Sequence, residues 1–330
     1  MRKQKCSLDL YSDFLVASQT RYTGTELAQT EPNGDIAHDA VSRWLVSSRF
    51  QPTELLNQVR RLVTLSKGYL LLDDSALDKR YSRANELARL QYSGDEHGLV
   101  NGINLVNLLW TDGDKFVPID YRIYRKGTIN HQNKTKHDHF RDMLKRAVNK
   151  GFSQQLPVLF DTWYASIENL KFIRSLHMHF ICNIACNRQV SVTKGAYVPV
   201  QDLDFTQEQV HKVWLKEFGF VLVAQTVTVG GDVTYLMTND LSMNTHNSIV
   251  ACFKQRWHIE EFHRGIKQTT GIEKCYSIKA ASQKTHILAA FKAFLKLEAR
   301  RITEGISWYE QKAEIMRPAV TRYLALGANA

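Results

Sequence analysis

The segment from Phe253 to Lys267 contains three charged residues whose spacing could bind anions around one carboxylate. If the segment is a helix, with about 100° per residue, offsets of four and seven place Arg256, Glu260 and Lys267 within roughly 60° of each other. One face would then carry a carboxylate flanked by two cations. The apolar residues at spacings of three and four predict a separate packing face, made of Ile259, Phe262 and Ile266.

Two further carboxylates follow short apolar runs elsewhere in the chain. Asp73 follows Tyr69–Leu72, and Asp161 follows Leu156–Phe160. Each run is typical of a buried strand whose last residue reaches the edge of a sheet. Two aspartates on strands and one glutamate on a helix offer the oxygen ligands that Mg²⁺ or Mn²⁺ prefers. The sequence therefore predicts a metal site made of Asp73, Asp161 and Glu260.

These motifs resemble the Asp-Asp-Glu transposases of bacterial insertion sequences, in the group with a Tyr-x2-Arg-x3-Glu-x6-Lys signature. Arg256, Glu260 and Lys267 match that spacing, and the tyrosine position is Phe253, which has no hydroxyl. Asp73-Asp-Ser75 resembles the motif of the first aspartate, and Asp161-Thr-Trp-Tyr164 resembles that of the second. The resemblance covers about residues 65 to 300, and the Arg/Glu/Lys spacing is its most specific part.

Two neighbouring residues compete for the catalytic positions. Asp74 follows Asp73, and adjacent residues on a strand point to opposite faces. Asp73 is preferred because the motif places Ser75 two residues beyond the metal ligand. Glu261 is not preferred to Glu260, because it breaks the spacing to the flanking cations.

The resemblance implies an RNase H-like core and metal-dependent phosphoryl transfer. Two Mg²⁺ or Mn²⁺ ions would assist water in freeing a 3′-OH at the transposon end, which would then attack target DNA. Arg256, Lys267 and Arg264 would contact DNA phosphates. The implied partners are the terminal inverted repeats and the target, both double-stranded DNA, and a second copy in a homodimer.

Composition agrees with a polyanionic partner. The chain has 330 residues and a formal net charge of +10, and its hydrophobic and charged fractions of 44% and 23% are ordinary for a globular protein. A strongly basic protein often binds nucleic acid. Between residues 249 and 300, ten lysines and arginines face four glutamates, a net charge of +6 around the predicted catalytic helix.

Cysteine usage and hydropathy suggest a reducing compartment and no membrane partner. Five dispersed cysteines argue against a disulfide framework. No apolar run is long enough for a membrane span, and none follows the basic N-terminus as in a signal peptide. The expected location is the bacterial cytoplasm, in association with the nucleoid.

Residues 1–65 are predicted to be helical and to contact DNA. Thr23–Ala28 and Ala37–Leu45 could form two helices, joined by a turn at Pro32-Asn-Gly34. Such a unit could present Ser42, Arg43 and Arg49 to DNA. A helical bundle that only packs on the core explains the same pattern.

The remaining sequence predicts an α/β fold, with an RNase H-like mixed sheet flanked by helices. Residues 66–190 would form the first part of the core, in the order strand, strand, strand, helix, strand. Residues 191–248 would form a β-rich insertion with a hairpin turn at Gly230–Asp232. Residues 249–330 would complete the core with the catalytic glutamate helix and C-terminal helices.

The predicted function is that of a transposase. One alternative is a nuclease of the same fold that cuts DNA without joining it. Another is a basic DNA-binding protein with an inactive core, against which the three carboxylates Asp73, Asp161 and Glu260 count, because DNA binding does not need them.

Overall fold

The structure is a computed structural model that describes residues 6–52, 55–82, 84–93, 98–125, 134–193, 195–228 and 230–327. Four helices come first: α1 (Leu8–Ala17), α2 (Gly24–Thr30), α3 (His38–Ser47) and α4 (Leu55–Val59). Ser7 and Thr23 cap α1 and α2 by accepting hydrogen bonds from backbone N–H groups of the first turn. The predicted helical character of this segment is confirmed.

The core alternates strands with two helices. Its elements are β1 (Tyr69–Asp78), β2 (Arg89–Ser93), β3 (Gly98–Thr111), β4 (Val117–Tyr124), α5 (Lys136–Asn149), β5 (Val158–Phe160), α6 (Ile167–Ser175) and β6 (Phe180–Ile184). A capping box at Thr135 begins α5, and Gly151 follows its end with φ 95°. The leucines of β1 at positions 70 to 72 are fully buried, as their continuous apolar run predicts.

Strand β7 (Gln189–Ser191) crosses the start of the predicted β-rich insertion, which contains β8 (Tyr197–Pro199), β9 (Val210–Leu215), β10 (Gly219–Val227) and β11 (Val233–Thr238). These strands continue the core sheet. All eleven strands of the described residues form one sheet in the order β2-β3-β1-β5-β6-β11-β10-β9-β7-β8, and β4 also pairs with β3. The β1–β5 and β5–β6 pairs are parallel and the others are antiparallel. The predicted mixed sheet flanked by helices is therefore confirmed.

Helices α7 (His246–Lys254), α8 (Trp257–Thr270), α9 (Ala280–Glu304) and α10 (Trp308–Gly327) complete the chain. α7 covers β6, β10 and β11, whereas α8 packs against β1 and α9. Gly265 allows a close approach between α8 and α10, because an added Cβ would lie 2.7 Å from the Trp308 ring. None of the helices in the described residues is long and apolar enough to cross a membrane.

The predicted continuous helix from Phe253 to Lys267 is divided in two. α7 ends at Lys254 and α8 begins at Trp257. Gln255 and Arg256 keep right-handed helical backbone angles, but the hydrogen bonds tighten to a spacing of three residues, as from Ile259 N to Arg256 O at 3.1 Å. The break lets each helix follow a different part of a twisted sheet.

The N-terminal helices pack on the C-terminal ones. Tyr11 of α1 is buried against Trp44 of α3, with ring centroids 5.2 Å apart, and its hydroxyl lies 2.9 Å from His286 Nδ1 of α9. Lys312 of α10 donates to the backbone carbonyls of Val16, Ser18 and Thr269 at 2.7 to 2.9 Å. These carbonyls lie at the C-terminal ends of α1 and α8, where a cation is favourable.

Candidate active site

Asp73 and Asp161 lie on neighbouring parallel strands. The β1–β5 register pairs Leu70 with Val158 and Leu71 with Leu159. Two residues further along, the same register brings Asp73 level with Asp161, which directly follows β5. On its other side, Asp73 is paired with Asn107 of β3. The sheet therefore brings together two aspartates that are far apart in sequence.

Asp161 begins a short 3₁₀ turn, Thr162–Tyr164, and its carboxylate accepts a hydrogen bond from the Tyr164 N–H at 3.4 Å. Burial raises the pKa of Asp161, and the negative charge of Asp74 raises it further. Burial raises the pKa of Asp73 to about 8, with contributions from the charges of Asp161 and Asp74, while Arg256 opposes the shift. The aspartates therefore repel each other in a poorly solvated place.

Glu260 approaches this pair from the first turn of α8. Arg256, four residues earlier, forms an ion pair with Glu260 and lies 3.7 Å from Asp73 Oδ2 through its Nη1. Its Nε is buried and has no hydrogen-bond partner in the described residues. The predicted residues Asp73, Arg256 and Glu260 therefore meet, with the guanidinium between two carboxylates.

Asp74 points to the opposite face of β1, toward α5. Its carboxylate pairs with Lys136 at 2.7 Å and accepts hydrogen bonds from the Tyr164 hydroxyl at 2.9 Å and from Asn104 Nδ2 at 3.0 Å. Asp74, the alternative to Asp73 as a metal ligand, is thus already bound by three neutral or cationic side chains. Sequence reasoning missed this network, although Tyr164 belongs to the motif of the second aspartate.

Trp163 beside Asp161 is 63% exposed, and its ring stacks with that of His137 at a centroid distance of 6.3 Å. Lys136 Nζ lies 5.8 Å from the Trp163 ring centroid. An exposed aromatic ring, with a cation over its face, therefore lies two residues from the second aspartate.

A second polar contact that sequence reasoning missed joins α8 to the sheet. Asn107 Nδ2 lies 2.9 Å from His263 Nε2. Asn107 is 1% exposed and is the ladder partner of Asp73, and His263 is one turn beyond Glu260. The two residues are 156 positions apart, so no local pattern in the sequence could have indicated this contact.

The other predicted DNA contacts differ in position. Lys267 lies in the last turn of α8, and Arg264 is exposed and 3.9 Å from Glu261. Arg43 lies on α3, where it pairs with Asp39, and so does not join the carboxylates.

The donor set suits a hard divalent cation. Asp73, Asp161 and Glu260 supply carboxylate oxygens. Burial, followed by repulsion between carboxylates, raises the pKa values of both aspartates, and a bound cation would stabilise their charged forms. As placed, no three such side chains of the described residues are close enough to form a metal site together. Glu260 is held by Arg256, so it would have to leave this partner to bind a metal.

Comparisons with known proteins identify the family of this chain. No curated protein matches the sequence. A solved structure of the piggyBac transposase synaptic complex with hairpin DNA is similar in fold, with a TM-score of 0.56 and 11% identity over 94% of this chain and 70% of that chain. The family described as transposase DDE domain matches residues 69–295, which include Asp73, Asp161 and Glu260. The chain therefore belongs to the transposase DDE domain family.

Proposed function

We propose that this transposase cuts and joins DNA at a metal centre formed by Asp73, Asp161 and Glu260. The observation that carries the proposal is that the β1–β5 register brings Asp73 level with Asp161, while Arg256 contacts both Asp73 and Glu260. The proposed reaction is hydrolysis of a phosphodiester at each transposon end. The freed 3′-OH then attacks a phosphodiester of the target.

The three carboxylates would hold two Mg²⁺ or Mn²⁺ ions. Bound ions of this kind activate a nucleophilic oxygen and stabilise the leaving oxygen in an in-line displacement. Asp73 is supported over Asp74 because it faces Arg256 and α8, whereas Asp74 is occupied by Lys136 and Tyr164 on the other face.

The cations of α8 would bind the DNA backbone. Arg256 presents a planar guanidinium that can bind a phosphate with two hydrogen bonds, and Lys267 supplies a point charge on the same helix face. Arg264 is exposed beside them. These residues would hold and orient the strand while the carboxylates lie next to the scissile phosphate.

Double-stranded DNA is the proposed partner, in the form of insertion-sequence ends and target. The net charge of +10 supports this, and the similar piggyBac structure is a complex with hairpin DNA. Two ends must be joined in one event, so we propose a homodimer on DNA. We also propose that the protein works in the bacterial cytoplasm, where such DNA lies. Contact of α3 with DNA through Arg43 belongs to the same proposal.

The test uses purified protein, Mg²⁺ and labelled DNA with the sequence that flanks the gene. We expect nicked and joined products from the wild type and neither from Asp161→Ala or Glu260→Gln. Glu261→Gln is the matched control, because Glu261 is the adjacent carboxylate and faces Arg264. Cleavage that survives Glu260→Gln would reject the catalytic assignment.

The same experiment separates the competing functions. Metal-dependent nicks without joined products would favour the nuclease. Tight end binding without any metal-dependent product would favour a DNA-binding protein with an inactive core.

A further inference from the structure

His263 lies in the row of α8 side chains that faces the carboxylates. Measured from Arg256, the offsets of Glu260, His263 and Lys267 are four, seven and eleven residues. At about 100° per residue, these four side chains fall within roughly 60° on the helix. His263 therefore stands between Glu260 and Lys267 on the face proposed to bind the DNA backbone.

Asn107 fixes the orientation of the imidazole ring. The Asn107 Nδ2 group donates to His263 Nε2 at 2.9 Å and to the Leu105 carbonyl at 3.4 Å. Because Nε2 accepts this hydrogen bond, the ring proton lies on Nδ1. Asn107 is buried directly opposite Asp73 in the β1–β3 ladder, so the ring is anchored beside the first aspartate.

The ring is held in its neutral form. Burial lowers the pKa of His263 to about 3, and the positive charges of Lys267 and Arg256 lower it while Asp74 opposes them. At neutral pH the side chain is therefore an uncharged donor through Nδ1–H, and the contact with Asn107 is its only hydrogen bond within the described residues. The Asn107 Oδ1 atom is buried and has no partner among these residues.

We propose that His263 is a further substrate-contacting residue, whose Nδ1–H donates a hydrogen bond to a non-bridging phosphate oxygen of the DNA strand along α8. This inference rests on the proposed function. The phosphate that His263 contacts would lie between those bound by Arg256 and Lys267. A hydrogen bond from an uncharged group is directional, so it orients the phosphate. Because the group is uncharged, its contact releases no counterion and leaves the salt dependence of binding unchanged.

Two substitutions separate this contact from a purely structural one. His263→Asn keeps an amide near the position of Nδ1 but cannot reach Asn107. His263→Gln keeps a polar group near the position of Nε2 and loses the Nδ1 donor. We expect His263→Gln to be the more stable variant to urea and His263→Asn the more active one. The rate of single-turnover cleavage in His263→Gln should fall roughly 10- to 100-fold, as for loss of a hydrogen bond to a charged group.

Measurements of DNA binding identify the phosphate that His263 contacts. End DNA is prepared with one phosphate at a time replaced by a neutral methylphosphonate, and affinity is measured by fluorescence anisotropy in EDTA. One replacement should weaken binding by the wild type and have no further effect on His263→Gln. Both proteins should show the same dependence of affinity on salt concentration.

Two results would overturn the inference. One is full cleavage by His263→Gln with loss in His263→Asn, which would show that only the contact with Asn107 matters. Another is every methylphosphonate weakening both proteins equally. If the wild type gives no metal-dependent product, the proposed function fails, and the anisotropy measurements still decide the role of His263.

Discussion

Arg256 is the cation that neutralises the carboxylate cluster in the structure. It pairs with Glu260, lies 3.7 Å from Asp73, and leaves its buried Nε without a partner in the described residues. A buried guanidinium needs anions on several sides, because its desolvation is costly. A metal bound by Glu260 would therefore compete with Arg256, and a released guanidinium could move to a phosphate.

Arg256→Gln should bind Mn²⁺ more tightly than the wild type, by about tenfold if the lost competition is worth about 1.4 kcal/mol. The affinity can be measured by electron paramagnetic resonance of free Mn²⁺ without DNA. Arg264→Gln is the control, since Arg264 lies on the same helix but faces Glu261. Weaker Mn²⁺ binding in Arg256→Gln would mean that Arg256 instead holds Glu260 in place for the metal.

At the scale of single residues, the sequence predicted only contacts between residues that are close together in the chain. The pair of Arg256 and Glu260 follows from a spacing of four residues on a helix. The contacts Lys136–Asp74, Tyr164–Asp74 and Asn107–His263 join residues 62, 90 and 156 positions apart, so no periodicity could reveal them. They depend on which strands become neighbours in the sheet.

The elements that position the site are tightly packed, and at Gly265 the helix α8 lies close against Trp308 of α10. Gly265→Ala should destabilise the protein by roughly 1 to 2 kcal/mol, although alanine normally favours a helix by about 1 kcal/mol, because its Cβ overlaps the Trp308 ring. Urea unfolding measures the change. The exposed Gln268→Ala on the same helix should change stability by less than about 0.5 kcal/mol. A stabilised Gly265→Ala would show that α10 moves aside freely.

His286 joins three helices and makes their packing sensitive to acid. Its Nε2–H donates to the Gly271 carbonyl at 3.0 Å, so Nδ1 accepts from the Tyr11 hydroxyl. Burial lowers the pKa of His286 from 6.5 to about 4. Between these two pH values the unfolded chain binds a proton that the folded protein does not, so stability falls as pH falls.

Between pH 7 and pH 5, this histidine should account for a loss of about 2 kcal/mol of unfolding free energy. His286→Gln should be less stable at pH 7 but should lose about 2 kcal/mol less than the wild type over the same interval. Urea unfolding at the two pH values gives both numbers. Equal losses in the two proteins would assign the acid sensitivity to other groups.

At the scale of elements, long periodic segments were predicted and short ones were not. The helical pattern that ends at Gly151 and the alternation from Val117 to Tyr124 correspond to α5 and β4. The three-residue β7 is too short to show a period. The division of the predicted helix at Arg256 follows from packing on different strands, which the helix sequence does not contain.

The whole molecule is basic, and its binding to DNA should depend strongly on salt. The logarithm of the affinity for end DNA should fall linearly with the logarithm of the salt concentration. Lys267→Ala and Arg264→Ala should each reduce this slope by about one. Arg43→Ala tests the N-terminal segment in the same titration. An unchanged slope in Arg43→Ala would leave α3 as a helix that only packs on α9.

The contact between the first and last helices also bears on the time at which the protein becomes active during its synthesis. The Tyr11 hydroxyl contacts His286, and the carbonyls of Val16 and Ser18 at the end of α1 accept hydrogen bonds from Lys312. A growing chain emerges from the ribosome N-terminus first. The N-terminal helices therefore cannot pack on α9 and α10 until almost the whole chain has been made.

We expect a fragment that ends at residue 245 to lose residues 6–52 rapidly to protease, whereas the full chain should protect them. Protection in the fragment would show that the N-terminal helices fold alone. Glu260 emerges in the same late interval. If it is the third catalytic carboxylate, as proposed, a growing chain that has not yet exposed it should not cut DNA.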